Sequence, residues 1–166
     1  GEPVTGGSSS PGFRQGSGFW NQYRAIEEFQ ANAFQIADGW NMISVPRTLT
    51  NYRKNVLFPA AVSAAFSYAG SYQARDTLEN GRGYWLKFSG SHLVAYGGTP
   101  LATDTISVAE RWNLIGSIGT SLLTSAIVQA PPDIVTSRYF GYDGMYLLAT
   151  SIEPGKAYWV RTKAPG

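Results

Sequence analysis

The chain has 166 residues and a formal net charge of +2, which allows one domain of ordinary size or two small ones. It contains no Cys and a single His, so a structural zinc site, a disulfide scaffold and a cysteine nucleophile are excluded, and no metal or cofactor is predicted. Charged residues are only 14% of the chain, which gives no basis for nucleic-acid binding, and no apolar run reaches the roughly 18 residues of a membrane span. A 14% aromatic content with 19 Gly predicts a turn-rich β protein.

The N-terminal region is predicted to be an extended arm, which we place at residues 1–29. Residues 1–18 are rich in Gly, Ser and Pro and show no apolar period, as is typical of flexible segments. The next segment is apolar, and its pattern indicates a short helix followed by a strand from about Phe29 to Ile36. The candidate assembly residues of this arm are Phe19, Trp20, Tyr23, Ile26 and Phe29.

The rest of the chain is an internal duplication. Three ordered blocks match, at 34–43 and 106–115, at 68–72 and 142–146, and at 78–87 and 152–161. Trp40 and Trp112 occupy the same place in the two copies, 72 positions apart. This period exceeds the roughly 20–50 residues of solenoid repeats, so each copy is predicted to be a small unit of its own. We assign unit 1 to residues 30–100 and unit 2 to residues 101–166.

Within each unit the local signals are those of strands and tight turns. Residues 37–39 predict a hairpin turn, because Gly39 supplies a positive φ between two apolar segments. A second hairpin is predicted around residues 69–70, and Gly-containing turns at 79–81 and 153–155 each precede an aromatic strand. The sequence therefore predicts an all-β fold of two tandem related units, each sandwich-like or barrel-like, with the extended arm in front.

The repeated motifs also resemble a known family. In the first copy these are Gly-Trp-Asn-Met-Ile-Ser-Val-Pro at 39–46, Leu-Phe-Pro at 57–59, Asp-Thr-Leu at 76–78 and Gly-Arg-Gly-Tyr-Trp-Leu-Lys at 81–87. The pattern is similar to a "GWNLISVP…GYWVK" repeat of large secreted and surface proteins of Bacteroidota and Ignavibacteria, many of them type IX secretion cargo. The second copy departs from it at Gly116-Ser117 and at Ala157.

The resemblance implies an extracellular or cell-surface, all-β, non-catalytic module. Asp-Thr-aliphatic triplets resemble the O-glycosylation signal of that bacterial group, which makes Thr77 and Thr105 candidate glycan acceptors. An Asp-Thr turn before a strand is also common without any glycan, so that alternative stays open.

No catalytic constellation is visible, and the chain is not predicted to be an enzyme. His92 lies in a probable turn and is expected to be an ordinary surface histidine. Glu79 and Glu153 sit at matching positions of the duplication and are expected in separate units, whereas a glycosidase needs two carboxylates flanking one sugar.

Two functions remain from different classes. The first is a structural subunit whose arm adds a strand to a neighbouring copy and builds a fibre or filament, so that the main partner is the chain itself. The second is a carbohydrate-binding module, in which exposed aromatic rings stack on sugars. The candidate stacking residues are Tyr84, Trp85, Tyr158 and Trp159, together with Tyr72 and Tyr146 as further options. The alternative for these residues, core or seam packing, is the one that we favour, and we expect Trp40 and Trp112 to be core rather than a ligand platform.

Overall fold

The computed structural model describes residues 33–95 and 97–166, together with Asn21, Gln22 and Arg24. The chain divides into a compact unit at Gly1–Ala31 and another at Asn32–Gly166. The candidate assembly residues of the arm all lie outside the described residues: Phe19, Trp20, Tyr23, Ile26 and Phe29. The predicted strand from Phe29 is described only at its end, where the first strand spans Phe34–Ile36.

The unit at 32–166 is built almost entirely of short strands. In chain order the strands are β1 Phe34–Ile36, β2 Gly39–Ile43, β3 Arg47–Thr48, β4 Ala65–Tyr68, β5 Tyr72–Arg75, β6 Tyr84–Phe88, β7 His92–Val94, β8 Thr99–Pro100, β9 Arg111–Ile115, β10 Leu122–Leu123, β11 Tyr139–Tyr142, β12 Tyr146–Ala149, β13 Ser151–Ile152 and β14 Tyr158–Thr162. The helical elements are single turns, α1 at Lys54–Leu57 and a 3-10 turn at Thr124–Ala126. No helix in the described ranges is long and apolar enough to cross a membrane.

The two copies of the duplication form two four-stranded antiparallel sheets with the same strand order. The first runs β2-β6-β4-β5 and the second runs β9-β14-β11-β12, so each strand has a counterpart in the other sheet. Three two-stranded ladders, β1-β7, β3-β8 and β10-β13, complete the fold. The prediction of an all-β fold with two tandem related units is confirmed.

The hairpin predicted at residues 37–39 does not form, although its turn does. Gly39 has a φ of 85°, but β1 pairs with β7 while β2 pairs with β6. The Asn41 amide holds the turn by donating to the Ala37 carbonyl at 2.8 Å and accepting from the Ala37 N–H at 3.0 Å. This side-chain bridge replaces the strand ladder, so the chain can leave the turn towards a different sheet.

The second copy repeats this turn. Asn113 forms the same pair of bonds with Ala109, at 2.8 and 2.9 Å. The left-handed position, occupied by Gly39 in the first copy, is occupied here by Arg111 with a φ of 84°. The Asn of the repeated Trp-Asn pair therefore has the same structural role in both copies: it closes the turn at the start of β2 and of β9.

Each sheet has its own core on one face. In the first copy this core includes Tyr84, Leu86 and Phe88 of β6, packed against Phe58 after the helical turn. The Tyr84 hydroxyl accepts a hydrogen bond from the Glu79 N–H at 2.9 Å. Burial of the Tyr84 side chain in this core raises the pKa of its hydroxyl to about 12. The equivalent Tyr158 accepts from Glu153 N–H at the same distance. Tyr84 and Tyr158 are thus core residues whose hydroxyls hold the preceding turns, at 79–81 and 153–155, by a hydrogen bond to the backbone.

The two copies join through a seam with approximate two-fold symmetry. Four backbone hydrogen bonds of 2.9–3.1 Å cross it in two equivalent pairs: Ala157 N to Met42 O with Gly83 N to Leu114 O, and Ser44 N to Gly155 O with Gly116 N to Gly81 O. Exchanging every residue for its counterpart in the other copy turns one bond of each pair into the other. The turn before the aromatic strand of each copy therefore continues the ladder of the other copy.

Polar and apolar contacts close this seam together. The hydroxyls of Ser44 and Ser117 are both buried and lie 2.8 Å apart, and Ser44 Oγ also donates to the Lys156 carbonyl at 2.7 Å. A cluster of buried side chains from both copies packs beside them: Met42, Leu114, Ala157 and Trp159. The seam therefore has a small core of its own, distinct from the core of each sheet.

Candidate functional site

A continuous band of aromatic rings lies on the faces of the two sheets that meet at the seam. In the first copy Trp40 meets Trp85 at a ring-centroid distance of 6.3 Å, and in the second Trp112 meets Trp159 at 6.4 Å. Two further pairs cross the seam: Trp85 with Tyr142 at 4.8 Å, and Tyr68 with Trp159 at 4.9 Å. The paired motifs of the sequence thus build one symmetric aromatic surface.

The outer members of this band are exposed, which corrects one expectation. Trp40 is 42% exposed and Trp112 is 41% exposed, so neither is the core residue predicted for its position. The reason lies in the strand alternation, because the opposite face of β2 and β9 already supplies Ile43 and Ile115 to the two sheet cores.

One end of the band forms an open groove of about 540 Å³. Its walls are six aromatic side chains, two of which come from the second copy: Trp40, Phe66, Tyr72, Trp85, Tyr142 and Tyr146. We call this surface the aromatic groove. Cross-strand pairing sets part of the wall, since Phe66 of β4 lies directly opposite Trp85 of β6. The volume falls within the roughly 300–1,000 Å³ typical of ligand sites, and the lining is apolar.

The polar atoms of the aromatic groove are few. The Nε1 of Trp85 is enclosed and meets no acceptor at hydrogen-bonding geometry within the described part of the chain. Burial of the Tyr72 hydroxyl raises its pKa, and the neighbouring Tyr146 raises it further. The Trp85 N–H lowers the pKa of the same hydroxyl by less than these two effects raise it.

The structure separates the four candidate stacking residues. Tyr84 and Tyr158 are buried in the sheet cores and present no ring face to solvent, and Trp159 is only 9% exposed at the seam. For these three, burial corrects the expectation of an accessible platform, and their packing matches the core-or-seam alternative. Trp85 does line the aromatic groove. Sequence reasoning missed Phe66 and Tyr142. Phe66 alternates with the small residues Ala65 and Ser67 in β4, which was an available signal, whereas β11 shows no such alternation around Tyr142.

The strand next to the aromatic groove is an unusually apolar sheet edge. β12 pairs with β11 and with no other described strand, so its outer backbone groups are free. Its side chains include Tyr146, which lines the groove, Leu147 at 47% exposure and Leu148 at 61% exposure. We call β12 with its free backbone the apolar edge.

The equivalent strand of the first copy is protected in the way that natural edges usually are. β5 carries Gln73 and Arg75 where β12 carries Leu147 and Ala149. Arg75 donates to Ser67 Oγ at 3.1 Å and bonds the Gln73 side chain, which places a charge on that edge. Charged residues on edges discourage pairing with other chains, and the apolar edge lacks this protection.

The remaining candidate residues have ordinary surroundings. Thr77 and Thr105 are exposed, and the Thr105 N–H donates to Asp104 Oδ1 at 2.8 Å. His92 begins strand β7 rather than lying in a turn, and its Nε2 is 3.0 Å from the Ser89 carbonyl. Glu153 accepts from the hydroxyls of Ser151 and Ser121, which lower the pKa of its carboxyl.

Glu79 pairs with Arg82 at 3.2 Å at the turn before β6. No cluster of His, Asp or Glu that could hold a metal ion occurs among the described residues.

No family model, no curated protein and no solved structure shows significant similarity to this chain. The resemblance to the secreted surface repeats therefore stays a prediction, and functional argument rests on the two surfaces described above.

Proposed function

We propose that this chain is a non-enzymatic extracellular structural module whose copies join by strand addition at the apolar edge. The observation that carries the proposal is β12 itself, a free edge with exposed Tyr146, Leu147 and Leu148 and no charge. Such an edge pairs readily with another extended segment, because the new strand satisfies the backbone groups and covers the leucines.

The occupant we propose for this edge is the N-terminal segment of a second copy. That segment carries large aromatic and apolar side chains between polar ones, at Phe19, Trp20, Tyr23, Ile26 and Phe29. Its described residues, Asn21, Gln22 and Arg24, are helical, so the segment would have to become extended on pairing. A strand added beside β12 places alternate side chains over the face that carries Tyr146, next to the aromatic groove. Aromatic side chains of the arm would fill the groove as rings pack in a protein core. Since the donor and acceptor surfaces differ, the contact is head-to-tail and builds a filament unless the rotation closes a ring.

A charge on the apolar edge tests this proposal. Leu148→Lys places an ammonium on a side chain that is 61% exposed, so folding should be unaffected while strand addition loses its apolar cover. The matched control is Ala74→Lys, at the equivalent position of β5. Light scattering and negative-stain microscopy should show assemblies for the original chain and for Ala74→Lys, and monomers for Leu148→Lys. Monodisperse monomer of the original chain at high concentration would overturn the proposal.

Removal of residues 1–31 identifies the donor strand. If the arm is the donor, the shortened chain stays monomeric but still accepts strands from intact copies and caps their growth. Assembly of the shortened chain by itself would instead indicate direct pairing of two β12 edges, which contradicts the role of the arm.

Carbohydrate binding in the aromatic groove is the second candidate, and the exposed faces of Trp40 and Tyr146 favour it. It predicts retention on a neutral polysaccharide that Trp40→Ala abolishes. Leu93→Ala is the control, because Leu93 is 56% exposed and lines neither the groove nor the cavity beside Trp112. Absence of retention by monomeric Leu148→Lys, in which the groove is open, would remove this candidate.

A further inference from the structure

A third surface, rich in positively charged side chains, lies where β9 begins and β14 ends. A cavity of about 480 Å³ there is lined by Trp112, Thr136 and four charged side chains: Glu110, Arg111, Arg161 and Lys163. Three cations thus face one acid in a chain whose overall net charge is only +2. Within the described ranges the single ion pair is Glu79 with Arg82, so these cations carry no partner charge there.

The duplication provides an internal comparison for this cationic cavity. At the equivalent places the first copy has Gly39 for Arg111, Lys87 for Arg161 and Ser89 for Lys163. The shared turn requires a positive φ, 85° at Gly39 and 84° at Arg111. Glycine adopts that conformation without strain, whereas arginine does not. Residues held in strained backbone conformations cluster at functional sites, which makes the Arg111 side chain a candidate for a function.

The backbone that carries Arg111 is firmly held. Asn113 Nδ2 donates to the Arg111 carbonyl at 3.1 Å and to the Ala109 carbonyl at 2.8 Å, and Thr162 Oγ1 donates to the same Ala109 oxygen at 2.6 Å. Arg161 lies directly opposite Trp112 in the β9–β14 ladder, and adjacent strands place such partners side by side on one face. The lining of the cavity therefore combines two arginines with a half-exposed tryptophan, all on the paired strands β9 and β14.

We propose that this cationic cavity binds an acidic sugar, a pyranose ring that bears a carboxylate or sulfate group. The ring would lie against the Trp112 face, and its anionic group would be held by Arg111 and Arg161, since a guanidinium binds such oxygens in a bidentate manner. Lys163 adds a third positive charge. Single-stranded nucleic acid is less suited, because it needs successive aromatic platforms along a basic groove and this cavity offers one indole. The inference does not depend on assembly at the apolar edge.

Arg111→Gly is the decisive variant, since the first copy shows that glycine fits the turn. The original chain should bind soluble polygalacturonate and heparin at 0.15 M salt, with no binding to dextran. Arg111→Gly should weaken polygalacturonate binding about tenfold, as expected for loss of one charge-assisted bond, and Arg161→Gln should do the same. Lys87→Gln removes the same charge from the equivalent place in the first copy and should leave binding unchanged.

Three results would overturn the proposal. The first is no binding of the original chain to polygalacturonate or heparin. The second is equal weakening by Arg111→Gly and Lys87→Gln, which would indicate diffuse attraction to net charge. The third is tighter binding of a single-stranded DNA oligonucleotide than of either acidic polysaccharide. Circular dichroism of each variant should match the original chain, and the Arg161→Gln result keeps the test decisive if Arg111→Gly alters the turn.

Discussion

At the scale of single residues, the two copies of the duplication show how different residues occupy equivalent positions of the same fold. The same left-handed turn position holds Gly39 in one copy and Arg111 in the other. A Cβ at residue 39 would meet no atom within 4 Å, so the cost of a side chain there is conformational rather than steric. The comparison of Gly39 with Arg111 therefore isolates the conformational cost of a side chain at this turn position from any packing cost.

We therefore expect Arg111→Gly to raise the free energy of unfolding by about 1 kcal/mol, because it relieves a left-handed arginine. Gly39→Ala should lower it by a similar amount for the converse reason. Urea denaturation of both variants measures the two changes. A loss of stability in Arg111→Gly would show that the arginine side chain contributes more to folding than its backbone costs.

The buried tyrosines predict how stability depends on alkaline pH. Burial raises the pKa of Tyr84 to about 12, and raises those of Tyr158 and Tyr139 as well. The unfolded chain ionises its tyrosines near pH 10, while the folded chain keeps these hydroxyls protonated. The contribution of these tyrosines to stability should thus be constant below about pH 10 and fall between about pH 10 and 12. Denaturation at several pH values should show a shallower fall for Tyr84→Phe, and an equal fall would contradict this cause.

At the scale of elements, local signals were sufficient for strands and turns but not for strand partners. The β4–β5 hairpin and the aromatic strands β6 and β14 lie where the sequence predicts them. The prediction of a hairpin at residues 37–39 is wrong. The Asn41 side chain closes the turn, and β1 pairs with β7, more than 50 residues away, instead of with β2. Trp40 was assigned to the core because a sequence does not reveal which face of a strand is covered.

The aromatic groove was out of reach for the same reason. Its walls combine β2, β4 and β6 of one copy with Tyr142 and Tyr146 of the other, and the seam that brings them together depends on long-range backbone pairing. The repeat and its aromatic pairs were visible in the sequence. Their arrangement into one surface required the relative placement of the two sheets.

The turn before β6 leaves no room for a side chain at Gly83. A Cβ at Gly83 would lie 2.7 Å from Ala157 Cβ and 2.9 Å from the Ile115 carbonyl oxygen. Gly83→Ala should lower the free energy of unfolding by about 2 kcal/mol, since both neighbours belong to the packed seam. The reciprocal change, Ala157→Gly, should cost less than about 1 kcal/mol. Thermal unfolding of the pair checks the ranking, and a neutral Gly83→Ala would contradict the tight seam.

At the scale of the whole molecule, the seam predicts that the two copies unfold together. The buried Ser44 and Ser117 hydroxyls and the cluster around Met42 and Trp159 belong to both copies at once. Losing one sheet would expose this interface of the other, so neither copy should be stable alone. Calorimetry should give one transition whose calorimetric and van't Hoff enthalpies agree. Two resolved transitions would show that the copies are independent domains.

The central claim is that copies of this chain meet at the apolar edge, and hydrogen–deuterium exchange locates that contact directly. Within residues 145–149, the amides that point away from β11 should exchange quickly in dilute monomeric protein and become protected on assembly at high concentration, because an added strand bonds the free edge of β12. Residues 71–75, on the equivalent edge of the first copy, should exchange equally in both samples. Assembly without protection of residues 145–149 would contradict the account.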